Sequence, residues 1–164
     1  MPPISKKASI LLSMILSVLF EGILLGVGIF LPRIVDSLWD KFPKTDIYDI
    51  LTPRERMGLL LCLYALLLIA ALAVGLLFAL LLRVRRGEVF TAASVALIRS
   101  VSWCCMVFSV GTLAVSGLYS PVIVSSYVCI GVALAALLLG LCLRVVKNVL
   151  EQATAIKSEN DLTI

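Results

Sequence analysis

The chain has 164 residues, 62% of them hydrophobic and only 15% charged, with 14 Lys and Arg against 10 Asp and Glu and no histidine. A soluble globular domain carries about 45–50% apolar and about 25% charged residues, so this balance excludes an ordinary soluble domain and points to one integral membrane domain filling residues 1–164. The missing histidine removes the commonest general base and metal ligand. The net charge of +4, scattered without aromatic interleaving, gives no footing for direct nucleic-acid binding.

The first element is an apolar run over about 8–31, long enough to cross about 30 Å of hydrocarbon. It exceeds the h-region of a signal peptide and no A-x-A site follows, so a retained anchor is expected. Glu21 stands inside it. A charge at mid-helix costs about 2.5–3.5 kcal/mol on insertion scales, so such residues are shielded within the protein or carry function. Ser13, Ser17 and Glu21 are four apart and share one face. Gly22 and Gly26 form a small-xxx-small pair suited to close helix packing, within the chain or between copies.

The loop from 32 to 56 contains Ile34, Val35, Leu38, Trp39 and Phe42, an apolar face at helical spacing. A short amphipathic helix on the outer headgroups is expected there, covering the mouth of the bundle or acting as a lid. Thr52-Pro53-Arg54-Glu55 has the form of a capping box opening the next span. That span runs over about 57–82 and carries Tyr64. It ends at Arg83-Val84-Arg85-Arg86, where Gly87 permits a turn and Thr91 can cap the following helix.

The third span, about 95–117, places Ser102, Ser109, Thr112 and Ser116 on one face, with Arg99 near its start snorkelling to the headgroups. After an uncharged turn, the fourth span covers about 122–143. Its helical pattern continues into 144–164, where Val145, Val146, Val149, Leu150, Ala153 and Ile156 form one apolar stripe. A continuous helix projecting from about Arg144 is expected, followed by an acidic, then apolar tail. The five cysteines all lie in apolar runs without CxxC spacing, so they read as small membrane-embedded side chains. No metal or cofactor motif is present, and none is expected.

Orientation follows from Lys and Arg placement. With the N-terminus inside, Lys6, Lys7, Arg83, Arg85, Arg86, Arg99, Arg144, Lys147 and Lys157 are cytoplasmic, nine against the five of Arg33, Lys41, Lys44, Arg54 and Arg56. The sequence therefore predicts an all-α integral membrane four-helix bundle, N-in and C-in, with an outer amphipathic helix and a cytosolic extension of the fourth helix. Counting depth from the span ends brings Ser109 and Thr112 level with Glu21. An intramembrane polar site of Glu21, Ser17, Ser109, Thr112 and Tyr64 is expected. It reads either as a clamp that fixes helix register or as a ligand or proton site.

Gly87-Glu88-Val89-Phe90-Thr91 and the terminal Ile156-Lys157-Ser158-Glu159-Asn160-Asp161-Leu162-Thr163-Ile164, with four spans in this length, resemble a family of small bacterial membrane proteins classed as a domain of unknown function. Members are often encoded beside a small Cro-like helix-turn-helix regulator. The resemblance implies a protein of the bacterial cytoplasmic membrane that holds or releases such a regulator. Its partner-binding residues are then Arg83, Arg85, Arg86, Glu88 and Phe90 in the loop and Glu159, Asp161 and Leu162 in the tail. Two other functions fit the residues: a small proton-coupled exporter using Glu21, and a structural or immunity-type protein packing on another membrane protein through Gly22 and Gly26. An enzyme is not expected, because the chain lacks a Gly-rich phosphate loop, a GxSxG turn and metal spacing.

Overall fold

A computed structural model describes the backbone of residues 6–41, 53–88, 91–118 and 126–161, and the side chains of 8–37, 54–88, 91–118 and 128–156. The described chain is all α. Helix α1 spans Lys6–Lys41, α2 Pro53–Arg85, α3 Ala92–Leu118 and α4 Ser126–Asp161. The shortest, α3, has 27 residues, or about 40 Å at 1.5 Å per residue, enough to cross a bilayer. All four are long and apolar enough to do so, and their large side chains are exposed along much of their length. Such exposure would be untenable in water and is ordinary in lipid. This is a multi-pass membrane protein with four spanning helices.

The segment expected as a separate outer amphipathic helix belongs to α1, which continues through Pro32 to Lys41. The proline does not end the helix, for a reason given below. Trp39 has no described side chain, and Phe42 and the capping Thr52 lie outside the described residues. At the other end of α2 the turn is formed as the sequence suggests. Gly87 has φ of 80°, the Gly87 amide donates to the Val84 carbonyl and the Glu88 amide to the Arg83 carbonyl. These are the two bonds of a Schellman stop. The Thr91 hydroxyl then accepts from the Ser94 amide at 3.3 Å and caps α3.

The helices pack antiparallel in chain order, α1 on α2, α2 on α3, α3 on α4. No Cα atoms of α1 and α3, α1 and α4, or α2 and α4 come within 8 Å among the described residues. Near the end shared by the α1 C-terminus and α2 N-terminus, Val35, Leu59 and Val115 form a buried cluster, and Arg56 pairs with Asp36.

Helix α3 is the most enclosed, and its face toward α4 is built from small residues. The Ser102 hydroxyl donates to the Gly140 carbonyl at 2.8 Å, and the Ser109 hydroxyl to the Ala133 carbonyl at 2.7 Å. A Cβ at Gly140 would lie 3.2–3.3 Å from Met106, Cys105 and the Ser102 carbonyl. Small side chains let two backbones approach until a serine reaches across. The leucine-rich α2 approaches its neighbours less closely, except where Gly28 meets Leu67 and Gly111 meets Leu66.

Enlarging Gly140 should therefore cost more than removing a hydroxyl. Gly140→Leu is expected to destabilise by about 1–3 kcal/mol through overpacking, and Ser109→Ala by about 0.6 kcal/mol, the mean for membrane hydrogen bonds. Unfolding of the detergent-solubilised protein followed by circular dichroism ranks the two.

Candidate functional site

Register decides what Glu21 meets. Gly28 lies against Leu67, and Glu21, two turns back on α1, lies beside Val74 and Gly75 on α2. Leu66 meets Gly111 on α3, so eight residues along the antiparallel pair Val74 is level with about Trp103. Ser109 is thus more than a turn away in depth, and one helix away laterally.

The five residues expected around one polar site are accordingly dispersed. The Ser17 hydroxyl donates to the Ser13 carbonyl of its own helix, Ser109 to Ala133 on α4, and Thr112 to the Phe108 carbonyl one turn back. Tyr64 reaches α1 but not Glu21. Only Ser17 shares a cavity with the carboxylate. The expected clamp between Glu21 and the α3 hydroxyls is not formed, because those hydroxyls serve the α3–α4 contact or their own helix.

What surrounds Glu21 is a groove of about 410 Å³ between α1 and α2. Its floor and walls include Ser17, Gly22, Val74, Gly75 and Phe78. A Cβ on either Gly22 or Gly75 would meet nothing within 4 Å, so these two glycines leave the space open. Glu21 Oε2 is buried and has no hydrogen-bond partner. No lysine or arginine lines the groove. A carboxyl so placed can pair with a cation whose remaining body is apolar.

Tyr64 has a different task. Pro32 lacks an amide hydrogen, so the carbonyl four residues back, that of Gly28, loses its helical donor. The Tyr64 hydroxyl donates to that Gly28 oxygen at 3.0 Å. A hydroxyl from α2 thus completes the ladder of α1, which is how a proline is tolerated inside a membrane helix. The sequence hides this pairing, because Pro32 after an apolar run reads as the start of a loop.

At the opposite, basic end, Arg83 lies 3.8 Å from Glu88 within its own turn. Arg85 and Arg86 are exposed. Among the described residues α4 does not pack on α2; the side chains of Glu159 and Asp161 are not described, and Phe90 and Leu162 lie outside the described residues. Arg99 does not simply reach for headgroups. It pairs with Glu151 at 3.1 Å, and Lys147 pairs with the same carboxylate at 2.9 Å. The Arg144 guanidinium sits 4.8 Å from the centroid of the Trp103 ring. The Lys147–Glu151 spacing was legible as an i,i+4 pair, whereas the cross-helix partners were not. A Cβ on Gly22 or Gly26 would meet nothing within 4 Å among the described residues.

Four antiparallel apolar helices, a lone carboxyl in a lipid-side groove and a basic end define a small multi-pass membrane protein. The chain belongs to the family described as protein of unknown function (DUF2975), whose pattern matches residues 41–164. The match takes in α2, α3, α4 and the loop that joins α2 to α3, and only the last residue of α1. No curated protein and no solved structure matches the chain.

Tyr64 and Pro32 should be coupled. Tyr64→Phe is expected to cost about 1 kcal/mol with Pro32 present, by leaving a carbonyl unpaired. In a Pro32→Ala background, where the backbone amide is restored, that cost should vanish. A double-mutant cycle of unfolding free energies reads the coupling; additive effects would contradict this pairing.

Proposed function

We propose that this protein is a sensor or sequestering protein of the bacterial cytoplasmic membrane that binds a cytosolic transcriptional regulator through its basic end. The observation that carries the reading is α4. It runs as one helix to Asp161. In the register of Ser102 with Gly140 and Ser109 with Ala133, Leu150 is level with Ala92, the first residue of α3. The helix therefore extends about three turns, roughly 16 Å, past its neighbour. The projection begins near Glu151, later than Arg144, because the Arg99–Glu151 pair keeps the first turns of the extension on α3.

Val149 and Ile156 are exposed along this extension, beside Lys147 and Glu151. An apolar stripe on a projecting helix calls for a partner. The excess of Lys and Arg at this end supports a cytosolic setting, with both termini inside. Arg83, Arg85, Arg86, Glu88 and Phe90 between α2 and α3, Glu159 and Asp161 in the last turn of α4 and Leu162 next in sequence form the proposed contact. The Schellman stop at Gly87 and the Thr91 cap fix the two helix ends that flank Val89 and Phe90 in sequence. The reading is of a binding protein, not an enzyme.

A second reading rests on a separate observation, the unpartnered Glu21 oxygen in its groove. A carboxyl exposed to a lipid-side groove suits a small proton-coupled exporter of apolar cations, and within the first reading it suits the place where a membrane signal is received. Gly22 borders the same groove, so packing of a second membrane protein on Gly22 and Gly26 would cover it.

Two experiments separate these. Cytosolic protein captured by the full chain is expected to be lost with a chain ending at Arg144, and equal recovery would remove α4 as the binding element. In vesicles, Glu21→Gln is expected to abolish any proton-coupled uptake of a lipophilic cation; uptake equal to wild type would exclude the exporter reading.

A further inference from the structure

Near the basic end, α3 and α4 enclose a cavity of about 270 Å³ lined by Arg99, Ser102, Trp103, Arg144, Lys147 and Asn148. Three cations face one small space, with one carboxylate, Glu151, bonded to two of them. Arg144 is in no ion pair among the described residues; its guanidinium lies over Trp103 instead, which holds it by cation–π attraction. The site therefore keeps an excess of two positive charges, an arginine already oriented by an aromatic face, and the Asn148 amide as a further donor. Arginine donors in a planar fork match the oxygens of a phosphate.

We infer that this cavity binds the phosphate of an anionic phospholipid headgroup. The lipid source is favoured over free phosphate by its surroundings. Trp103 is 53% exposed and Val107, one turn deeper, is 49% exposed, so an apolar strip leads from the cavity along α3 toward the membrane interior, where acyl chains would lie. Basic pockets between membrane helices bind anionic headgroups by this combination. The headgroup takes the place of the Glu151 carboxylate on Arg99 and Lys147. Glu151 is thus a competitor for the site, and its removal strengthens binding. The site is independent of the regulator reading, since it needs no cytosolic partner.

The test uses full-length protein in detergent with Trp39→Phe, which leaves Trp103 as the sole tryptophan. Its emission is followed during titration with phosphatidylglycerol, phosphatidylcholine or inorganic phosphate. Phosphatidylglycerol is expected to give a saturable change that the other two do not. Arg144→Gln with Lys147→Gln should weaken it about tenfold or more, the worth of a charge-assisted hydrogen bond. Arg85→Gln with Arg86→Gln, which removes equal charge elsewhere on the same end, should leave it unchanged. Glu151→Gln should tighten it. Equal response to phosphatidylcholine, or equal weakening by both double variants, would overturn the site; displacement of the lipid by inorganic phosphate at comparable concentration would overturn the lipid assignment. Native mass spectrometry of retained lipid gives the same ranking where a variant disturbs Trp103 emission.

Discussion

A hydroxyl or a bared carbonyl in hydrocarbon needs a partner, and this fold pairs single hydroxyls with the carbonyls of neighbouring helices. Tyr64 supplies the Gly28 oxygen that Pro32 leaves bare. Ser102 and Ser109 reach the Gly140 and Ala133 oxygens. Each acceptor belongs to glycine or alanine, whose missing side chain lets the donor helix come close. These three bonds, with the close contact at Gly140 and the Arg56–Asp36 and Arg99–Glu151 pairs, fix the register of α1 on α2 and of α3 on α4.

Ser17, Tyr64, Ser109 and Thr112 all direct their hydroxyls to carbonyls, so none of the four is left for Glu21. The arrangement of helices in chain order adds to this. Among the described residues helix α1 packs on α2 alone, and the carboxyl on its inner face has Val74, Gly75 and Phe78 across the interface. These polar atoms fall into two groups. Ser102 and Ser109 of α3 hold helices together, and the Glu21 Oε2 atom of α1 has no hydrogen-bond partner among the described residues. At the basic end the same division recurs: Glu151 gathers Arg99 and Lys147, while Arg144 rests on Trp103 and stays free for an anion.

Much of the fold was legible in the residues. The four helices, the turn at Gly87, the cap at Thr91 and the continuation of the fourth helix past Arg144 all follow from local chemistry: hydrocarbon length, positive φ, a side-chain oxygen at the first turn and an unbroken apolar stripe. The site was less legible. Depth counted from the span ends assumes that the ends are level, and it put Ser109 beside Glu21. The true ends are offset, because α1 passes through Pro32 and continues to Lys41. Which neighbour a helix has is also invisible to periodicity, since a serine face serves α1 or α4 equally well on paper. What decides is the small-residue surface around Gly140, a property of two helices together.

The account turns on Glu21 lying between α1 and α2 and apart from the α3 hydroxyls. Cysteine cross-linking in membranes, with the five native cysteines replaced, tests that placement directly. A Glu21→Cys, Gly75→Cys pair should link on oxidation, and a Glu21→Cys, Ser109→Cys pair should not. Efficient linking of the second pair with none of the first would contradict the placement of the carboxyl and the order of the helices.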